Sequence, residues 1–440
     1  MWKKINFAVL VLAINLACIT PSQARLTIDV TLWLDNATPI AIVPFGYQGV
    51  NPEPMHMTDV ISGDLRRSGR FSPMPEKNMT ETPHEGNQVN YATWRNLKQK
   101  YLVVGKIQML ASNKYQVQFQ LMDVDQGKQM IGQSFQVPGK SMRRLAHHIS
   151  DLVFQAITGI RGAFDTYLAY VTVVKNNKGQ RAYQLAISDS DGYNEQILLK
   201  SSMPILRPVW SPDAQKLAYV SYISGRPQIY IQNIYTMHVQ QLTHFDGSNL
   251  SPAWSPDGKR MAMSLSKDGN AEIYIMDLAS HQLHRITHNY AIDVEPTWTP
   301  DGRNLIFTSD RGGKPQLYEV AVGPDGPQGS PRRITFDGDQ NLRADVSPDG
   351  KSVAMVNETG GRYRVAVMDL ASGQMTLLSN GNLDDSPSYA PNGSMIIYST
   401  HRNGKGVLAI VSSDGRARQL LRFTRGSVRQ PAWSPYLHDQ

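Results

Sequence analysis

The chain has 440 residues, of which 41% are hydrophobic, and its formal net charge is +7. This length and composition allow two or three domains with apolar cores and exclude a largely disordered chain. Lysine and arginine are scattered along the chain, so no basic stripe favours nucleic-acid binding. A single cysteine excludes a scaffold built on disulfides.

Residues 1–24 have the pattern of a secretory signal. Lys3 and Lys4 precede an apolar run from Ile5 to Ile19, and Ser22 and Ala24 supply the small residues of a cleavage site. A membrane-spanning anchor is the alternative interpretation. The run is shorter than the roughly 20 residues that a bilayer core requires, which disfavours the anchor.

A lipoprotein site at Cys18 is a second alternative to a cleaved signal. Asn15 stands three positions before Cys18, where a lipidation signal normally has leucine. Cleavage after Ala24 removes the cysteine and two lysines, which lowers the net charge from +7 to +5. Export without disulfides predicts a periplasmic protein that depends on its core for stability.

Residues 25–160 predict a small mixed α/β domain. Leu26 to Leu34 and Pro39 to Phe45 indicate strands, and a helix is expected from Thr58 to Arg67. Three more strands are predicted at Tyr101–Leu110, Tyr115–Val124 and Gln129–Val137, followed by a helix capped by Ser141 that ends at Gly159. In the second of these strands glutamines alternate with apolar residues, which predicts one exposed face and one buried face.

Six copies of the phrase Trp-Ser-Pro-Asp-Gly, some of them altered, recur through the rest of the chain. They begin at Trp210, Trp254, Trp298, Val346, Tyr389 and Trp433. The spacing is 44, 44, 48, 43 and 44 residues, and the long interval contains a turn-rich insertion, Gly323–Ser330, which is expected to form a surface loop. This period predicts a six-bladed β-propeller of four-stranded blades over residues 165–437, with the tryptophans packed between blades.

The ends of the array predict how the ring closes. Tyr167 to Val174, Ala182 to Ser188 and Gln196 to Lys200 supply strands B, C and D of a blade that has no strand A before them. The last repeat, from Val428 to Trp433, supplies a strand A with almost no chain after it. Because an open ring would leave unpaired edges, the C-terminal strand is expected to complete the first blade.

Motifs for catalysis are scarce. The sequence has no Gly-x-Ser-x-Gly motif, and the mature chain has no cysteine for a thiol nucleophile. His147 and His148 are adjacent on a predicted helix, so their side chains diverge by about 100° and do not share a ligand geometry. We therefore expect no catalytic residues.

Two further groups of residues could suggest a metal site. His281, His284 and His288 are close in sequence, but 281 and 284 differ by an odd number on a predicted strand and point to opposite faces. Asp189 and Asp191 resemble part of a calcium loop without its closing glutamate, and a hairpin turn explains them better. The sequence predicts no metal ligands.

The connections from strand D to the next strand A carry many acidic and amide residues. Such loops gather around one mouth of a propeller channel, so an acidic ring is predicted from Asp246, Ser248, Asn249, Ser251, Asp293, Val294, Glu295, Arg343, Asp345, Asp384 and Asp385. Two explanations stay open. Aspartate and asparagine favour turns in any loop, whereas like charges around a channel favour a basic partner surface or a weakly held cation.

Several phrases more specific than the repeated motif resemble the TolB family, the periplasmic components of the Tol-Pal envelope system. They are Gly159–Phe164, Ala169–Val171, Asp191–Asn194 and the ending Pro431–Leu437. The resemblance covers essentially the whole chain. It departs at Ala214, which replaces a motif glycine, and at Leu32-Trp33-Leu34, which is bulkier than expected.

The resemblance implies a binding protein without catalytic activity or cofactor. In this family the propeller mouth binds Pal, the peptidoglycan-associated lipoprotein, which implicates Ser248, Ser251, Val294 and Glu295. The mature N-terminus is similar to the segment that reaches the inner-membrane protein TolA: Arg25, Leu26, Thr27, Ile28, Asp29, Val30 and Thr31, within a partner-binding segment 25–36.

The function expected from this resemblance is that of a monomeric periplasmic adaptor, which meets membranes only through its partners. Other outer-membrane lipoproteins are a further class of partner, and the expected roles are outer-membrane integrity and constriction during cell division. The rival hypotheses are a propeller enzyme of the lactonase or glycan-processing type and a cell-wall glycan-binding protein.

Overall fold

The computed structural model describes residues 30–32, 37–50, 53–111, 113–175, 178–324, 326–421 and 426–437. The predicted secretory signal and the segment from Arg25 to Asp29 lie outside the described residues. The rest forms the two predicted domains, a mixed α/β domain and a six-bladed propeller.

The front domain is one mixed sheet with helices. From edge to edge the sheet runs through Phe71–Pro73, Thr38–Ile42, Tyr101–Ala111, Lys114–Asp123 and Lys128–Pro138, and Gly46–Gln48 also pairs with the third of these. The helices are α1 (Met57–Arg67), α2 (Tyr91–Asn96) and α3 (Met142–Thr158), with 3₁₀ turns at Glu76–Asn78, Gly86–Gln88 and Gly139–Ser141. Residues of α1 and α3 pack on one face of the sheet in a single apolar cluster. The alternation predicted for Lys114–Asp123 is confirmed by its burial pattern.

The two ends of α3 illustrate local sequence rules. Gly159 ends the helix in the left-handed region with φ 75°, a conformation that favours glycine. Ser141 precedes the helix, but its side chain makes no capping hydrogen bond, so the predicted cap is wrong in that detail.

The propeller has four antiparallel strands in each blade. Strands A, nearest the axis, are Ser427–Trp433 in blade 1 and then Ile205–Trp210, Asn249–Trp254, Asp293–Trp298, Gln340–Val346 and Asp385–Tyr389 in blades 2 to 6. Strands B are Tyr167–Lys175, Lys216–Ser221, Arg260–Leu265, Asn304–Ser309, Ser352–Thr359 and Met395–Arg402. Strands C are Arg181–Asp189, Gln228–Asn233, Glu272–Asp277, Gln316–Gly323, Arg362–Asp369 and Lys405–Ser412. Strands D are Gln196–Ser201, Val239–Gln241, Leu283–Arg285, Gly326–Arg333, Met375–Leu377 and Ala417–Leu421.

The predicted closure is confirmed. Ser427–Trp433 pairs antiparallel with Tyr167–Lys175, so the first blade takes its inner strand from the end of the chain. The indole N–H of Trp433 donates to Thr166 Oγ1 at 2.8 Å, which links the last strand to the segment that enters the propeller. The ring is therefore joined by both backbone and side-chain hydrogen bonds.

The insertion Gly323–Ser330 differs from its prediction as a surface loop. It extends strands C and D of blade 4, where Gly323 pairs with Gly326 and Ala321 pairs with Gln328. The added residues continue the backbone ladder, since pairing satisfies their N–H and C=O groups better than a free loop would.

The first strand, Val30–Leu32, also differs from its prediction. The sequence pattern suggested a strand of the front domain from Leu26 to Leu34, but the described part pairs with strand D of blade 6, Ala417–Leu421. Because blade 6 has a free outer edge, an extended segment can add a fifth strand there. The strand Val30–Leu32 thus lies on the propeller.

Candidate binding surfaces

The two ends of the propeller differ in what they contact. In antiparallel blades the D-to-A and B-to-C connections emerge at one end, which we call the loop face, and the A-to-B and C-to-D turns emerge at the other. The front domain packs at the turn end, where Asn392 Nδ2 donates to Arg161 O at 2.9 Å and Arg67 donates to Ser190 Oγ at 3.1 Å. The loop face therefore lies opposite the front domain.

The loop face carries large apolar side chains that are exposed. They are Met203, Ile223, Tyr290, Ile292, Phe336 and Leu383. Tyr290 is 89% exposed and Phe336 is 71% exposed. Exposed apolar patches rimmed by polar residues mark protein interaction sites. Sequence reasoning missed these residues because it considered polar and charged residues, and only in the D-to-A connections.

A ring of six bulged residues lines the channel. Each stands three positions before the start of a repeat motif and has a positive φ of 52° to 61°: Arg207, Ser251, Glu295, Arg343, Ser386 and Gln430. The register of every strand A shifts next to this residue. The bulge turns these side chains into a channel cavity of about 150 Å³.

Charged members of this ring pair across the channel. Glu295 accepts hydrogen bonds from the Arg207 side chain and from Arg343 N at 3.1 Å, and the Arg343 side chain also pairs with Asp385. Burial alone would raise the pKa of Glu295, but Arg207 and Arg343 outweigh it and lower that pKa. No histidine lines the cavity among the described residues. Paired charges of this kind stabilise the ring and leave little free negative charge.

Several residues of the predicted acidic ring are buried anchors of their own loops. Asn249, Asp293 and Asp384 are fully buried. Asn249 donates to Phe245 O at 3.0 Å, and Asp384 accepts from Gly381 N at 3.0 Å. Turn chemistry therefore explains Asn249 and Asp384, whereas Asp293 pairs with Arg311 at 2.7 Å. All three are buried, so they cannot contact a partner directly.

The remaining predicted positions lie in different surroundings. Asp246 is exposed and pairs with Arg226 at 2.7 Å. Ser248 and Val294 are half-buried in the loop face. Asp345 lies in the channel wall, where its carboxylate accepts from Tyr389 N at 2.6 Å, and burial raises its pKa to about 7. The structure thus shows a mixed rim rather than a uniformly acidic one.

Val30 and Thr31, which the sequence places in a partner-binding segment, lie in the strand that pairs with blade 6. Val30 pairs with Gln419 and Thr31 pairs with Arg418 in the backbone ladder. Arg25, Leu26, Thr27, Ile28 and Asp29 lie outside the described residues.

One group of side chains has the spacing of metal ligands. Asp64, His147 and Asp191 each bring an atom within 4.8 Å of the others. However, Arg67 donates to Asp64 at 2.7 Å, and Arg143 pairs with Asp191. Because each carboxylate already has a cationic partner, we assign an ion-pair cluster rather than a metal centre.

The histidines at 281, 284 and 288 are spread along blade 3. His281 lies in the C-to-D turn, His284 in strand D and His288 in the connection on the loop face, so they do not converge. Among the described residues, no helix combines the length and the apolar character needed to cross a bilayer.

The fold and surfaces define a class of two-domain protein, in which a small α/β domain covers one end of a six-bladed propeller and leaves the other end open. Family models described as the TolB amino-terminal domain and the TolB beta propeller domain match residues 26–130 and 154–437. The chain belongs to the TolB family.

Individual relatives agree with this assignment. The chain is 51% identical over 432 residues to the Tol-Pal system protein TolB of Xanthomonas oryzae pv. oryzae, covering 98% of this chain and 97% of the relative. It is 52% identical over 417 residues to the Tol-Pal system protein TolB of Xanthomonas euvesicatoria pv. vesicatoria, covering 94% of each chain. The crystal structure of TolB from Acinetobacter baumannii superposes with a TM-score of 0.84 at 40% identity, covering 93% of this chain and 100% of that one.

Proposed function

We propose that this chain is a non-enzymatic periplasmic adaptor of the Tol-Pal system. In this proposal the loop face binds Pal, and the N-terminal segment 25–36 binds TolA. The adaptor would thereby connect the outer and inner membranes and support envelope integrity and constriction during division. The single observation that carries the proposal is the exposed apolar loop face opposite the front domain.

The chemistry of the loop face supports binding of a folded protein. Tyr290, Ile292 and Phe336 offer apolar area, and Asp246 and Ser248 offer polar groups beside it. Protein interfaces combine an apolar centre with a polar rim in this way. Of the loop positions named from the sequence, those proposed for the Pal surface are Asp246, Ser248, Ser251, Val294, Glu295, Arg343, Asp345 and Asp385. A weakly held cation near the channel also stays a proposal.

The N-terminal strand supports a second, exchangeable contact. Val30–Leu32 forms three backbone pairs on an outer edge, a short ladder that a partner could replace. An extended segment at a chain end can add to a sheet edge of another protein by the same backbone bonds. We therefore propose that docking on blade 6 and capture by TolA compete for this segment.

A pair of substitutions tests the Pal surface. Ile292 on the loop face and Tyr235 at the turn end are each 50% exposed, so they form a matched pair. Replacing Ile292 with aspartate should weaken binding to the purified soluble domain of Pal at least tenfold in calorimetry, since a charge enters an apolar contact. Replacing Tyr235 with aspartate should change the affinity less than twofold. Equal effects of the two changes would argue against the loop face.

A deletion tests the N-terminal contact. Removing residues 25–31 should abolish binding to the soluble C-terminal domain of TolA and leave the propeller folded. If Pal binding at the loop face is coupled to docking of the segment, the deletion also changes the affinity for Pal. A ligand that binds one of two states more tightly shifts the population toward that state. Unchanged Pal affinity would contradict linkage, and retained TolA binding would contradict the assigned segment.

A further inference from the structure

A buried ionic cluster joins the front domain to blade 1. Its members come from α1, from α3, from the end of strand C of blade 1 and from the turn that follows it: Asp64, Arg67, Arg143, His147, Asp189 and Asp191. Asp64, Arg67 and His147 are at most 3% exposed. The cluster therefore lies inside the contact between the two domains.

His147 of α3 hydrogen-bonds to Asp64 of α1, and its other ring nitrogen faces blade 1. Its Nδ1 lies 2.8 Å from Asp64 Oδ2, and its Nε2 lies 4.0 Å from Asp189 Oδ2. Arg67 donates to Asp64 at 2.7 Å, and Arg143 donates to Asp189 at 3.2 Å. The imidazole thus stands between a carboxylate of α1 and a carboxylate of the propeller.

With its three carboxylates ionised, the cluster is neutral when the imidazole is protonated. Three carboxylates face two guanidinium groups, so His147 supplies the missing positive charge. Of the nearby groups, Asp165 is paired with Arg144 at 3.1 Å. Asp151 accepts hydrogen bonds from two backbone amides. A buried charge without a partner destabilises the folded protein.

Helix α1 connects this cluster to the N-terminal strand. Asp64 and Arg67 lie near its C-terminal end, and Gly69 follows the helix after one intervening residue, Ser68. Gly69 abuts blade 6 so closely that a Cβ there would overlap the Cβ of Ala417. Ala417 is the residue that pairs with Leu32 in the added strand. A shift of α1 would therefore disturb the edge on which the N-terminal segment docks.

We propose that protonated His147 is an ionic latch that fixes α1 on blade 1 and thereby keeps Val30–Leu32 docked on blade 6. Deprotonation leaves a buried net negative charge, which loosens α1 and releases the strand. The proposal concerns contacts within this chain and does not depend on the identity of either partner.

The direction of the pH effect follows from the surroundings of His147. Burial alone would lower its pKa, but Asp64 first, and then Asp191 and Asp189, outweigh burial and raise that pKa to about 9. The folded value exceeds the ordinary value of 6.5. The stabilisation is therefore complete below pH 6.5 and is lost as the pH rises through about 9.

Two measurements on the full chain test the latch. In ¹⁵N-histidine NMR spectra of the wild type, the His147 ring should titrate near pH 9. In hydrogen exchange, protection factors of the amides in 30–32 should fall at least tenfold between pH 7 and pH 10. The variant His147→Gln should show the low protection at both pH values. His148→Gln is the matched control, because His148 packs its ring on Phe135 outside the cluster and should behave as the wild type.

Three results would overturn the latch. The first is a His147 ring that titrates at or below pH 6.5. The second is a wild-type strand whose protection does not change between pH 7 and pH 10. The third is a folded His147→Gln variant that keeps full protection. If that variant does not fold, the wild-type titration and its exchange profile still decide the question.

Discussion

The closing hydrogen bond of the ring allows a sharp test by substitution of Trp433 with phenylalanine. Its indole N–H donates to Thr166 Oγ1 at 2.8 Å in a buried place. Phenylalanine keeps an aromatic ring but removes this donor. Loss of one partner of a buried hydrogen bond costs about 1–3 kcal/mol, to which the smaller ring adds a packing loss. We expect the free energy of unfolding to fall by about 3 kcal/mol.

Trp254 provides the control. The indole N–H of Trp254 is buried and has no hydrogen-bond partner among the described residues, so Trp254→Phe loses packing but no bond. Urea denaturation followed by far-UV circular dichroism compares the two variants. A double-mutant cycle with Thr166→Val isolates the bond, and we expect a coupling of about 1 kcal/mol. A coupling of zero would refute the role assigned to this bond in closure.

Three further predictions concern other contacts. Gly69→Ala should cost about 3 kcal/mol in urea denaturation, since it adds a positive-φ penalty and an overlap with Ala417, whereas Gly159→Ala meets nothing within 4 Å and should cost about 1 kcal/mol. Glu295→Gln should cost about 3 kcal/mol by the same measurement, because two arginines lose their carboxylate. Asp345 has a pKa raised by burial to about 7, so the wild type loses stability as the pH rises from about 4 to about 7. Asp345→Asn should therefore be more stable than the wild type at pH 8. Thermal unfolding of both proteins between pH 4 and pH 8 measures this, and equal changes of melting temperature with pH would contradict it.

The propeller was predictable from the sequence because the same turn and strand patterns recur in every blade. The Pro-Asp-Gly turns and the alternating strands recur every 44 residues or so, and each copy confirms the others. Closure followed from counting strands at the two ends of the array. The place of Val30–Leu32 was not predictable, because an alternating strand fits any free edge, and only the assembled fold shows that blade 6 offers one.

The binding surfaces were predictable only in part. The loops were correctly located at one mouth, but their acidic residues have two different roles that share one composition. Asn249, Asp293 and Asp384 occupy the position five residues before their motifs and are buried. Composition cannot separate a buried turn anchor from an exposed contact, since both favour asparagine and aspartate. Phe336 and Tyr290 would have stood out had the loops been searched for apolar residues.

The ion pairs across the channel join residues at equivalent positions of different blades, and a comparison of the repeats could have predicted them. Arg207 and Glu295 are 88 residues apart, yet both stand three positions before a motif, so the fold places them on the same level of the ring. Residues two periods apart belong to blades that are not neighbours, so their side chains meet across the channel, where the pattern of a single blade does not show the contact. Aligning the six repeats by column would have shown Arg207, Glu295 and Arg343 at one position. Opposite charges in one column of a closed ring predict contact through the axis, and this inference applies to any propeller whose blades can be counted.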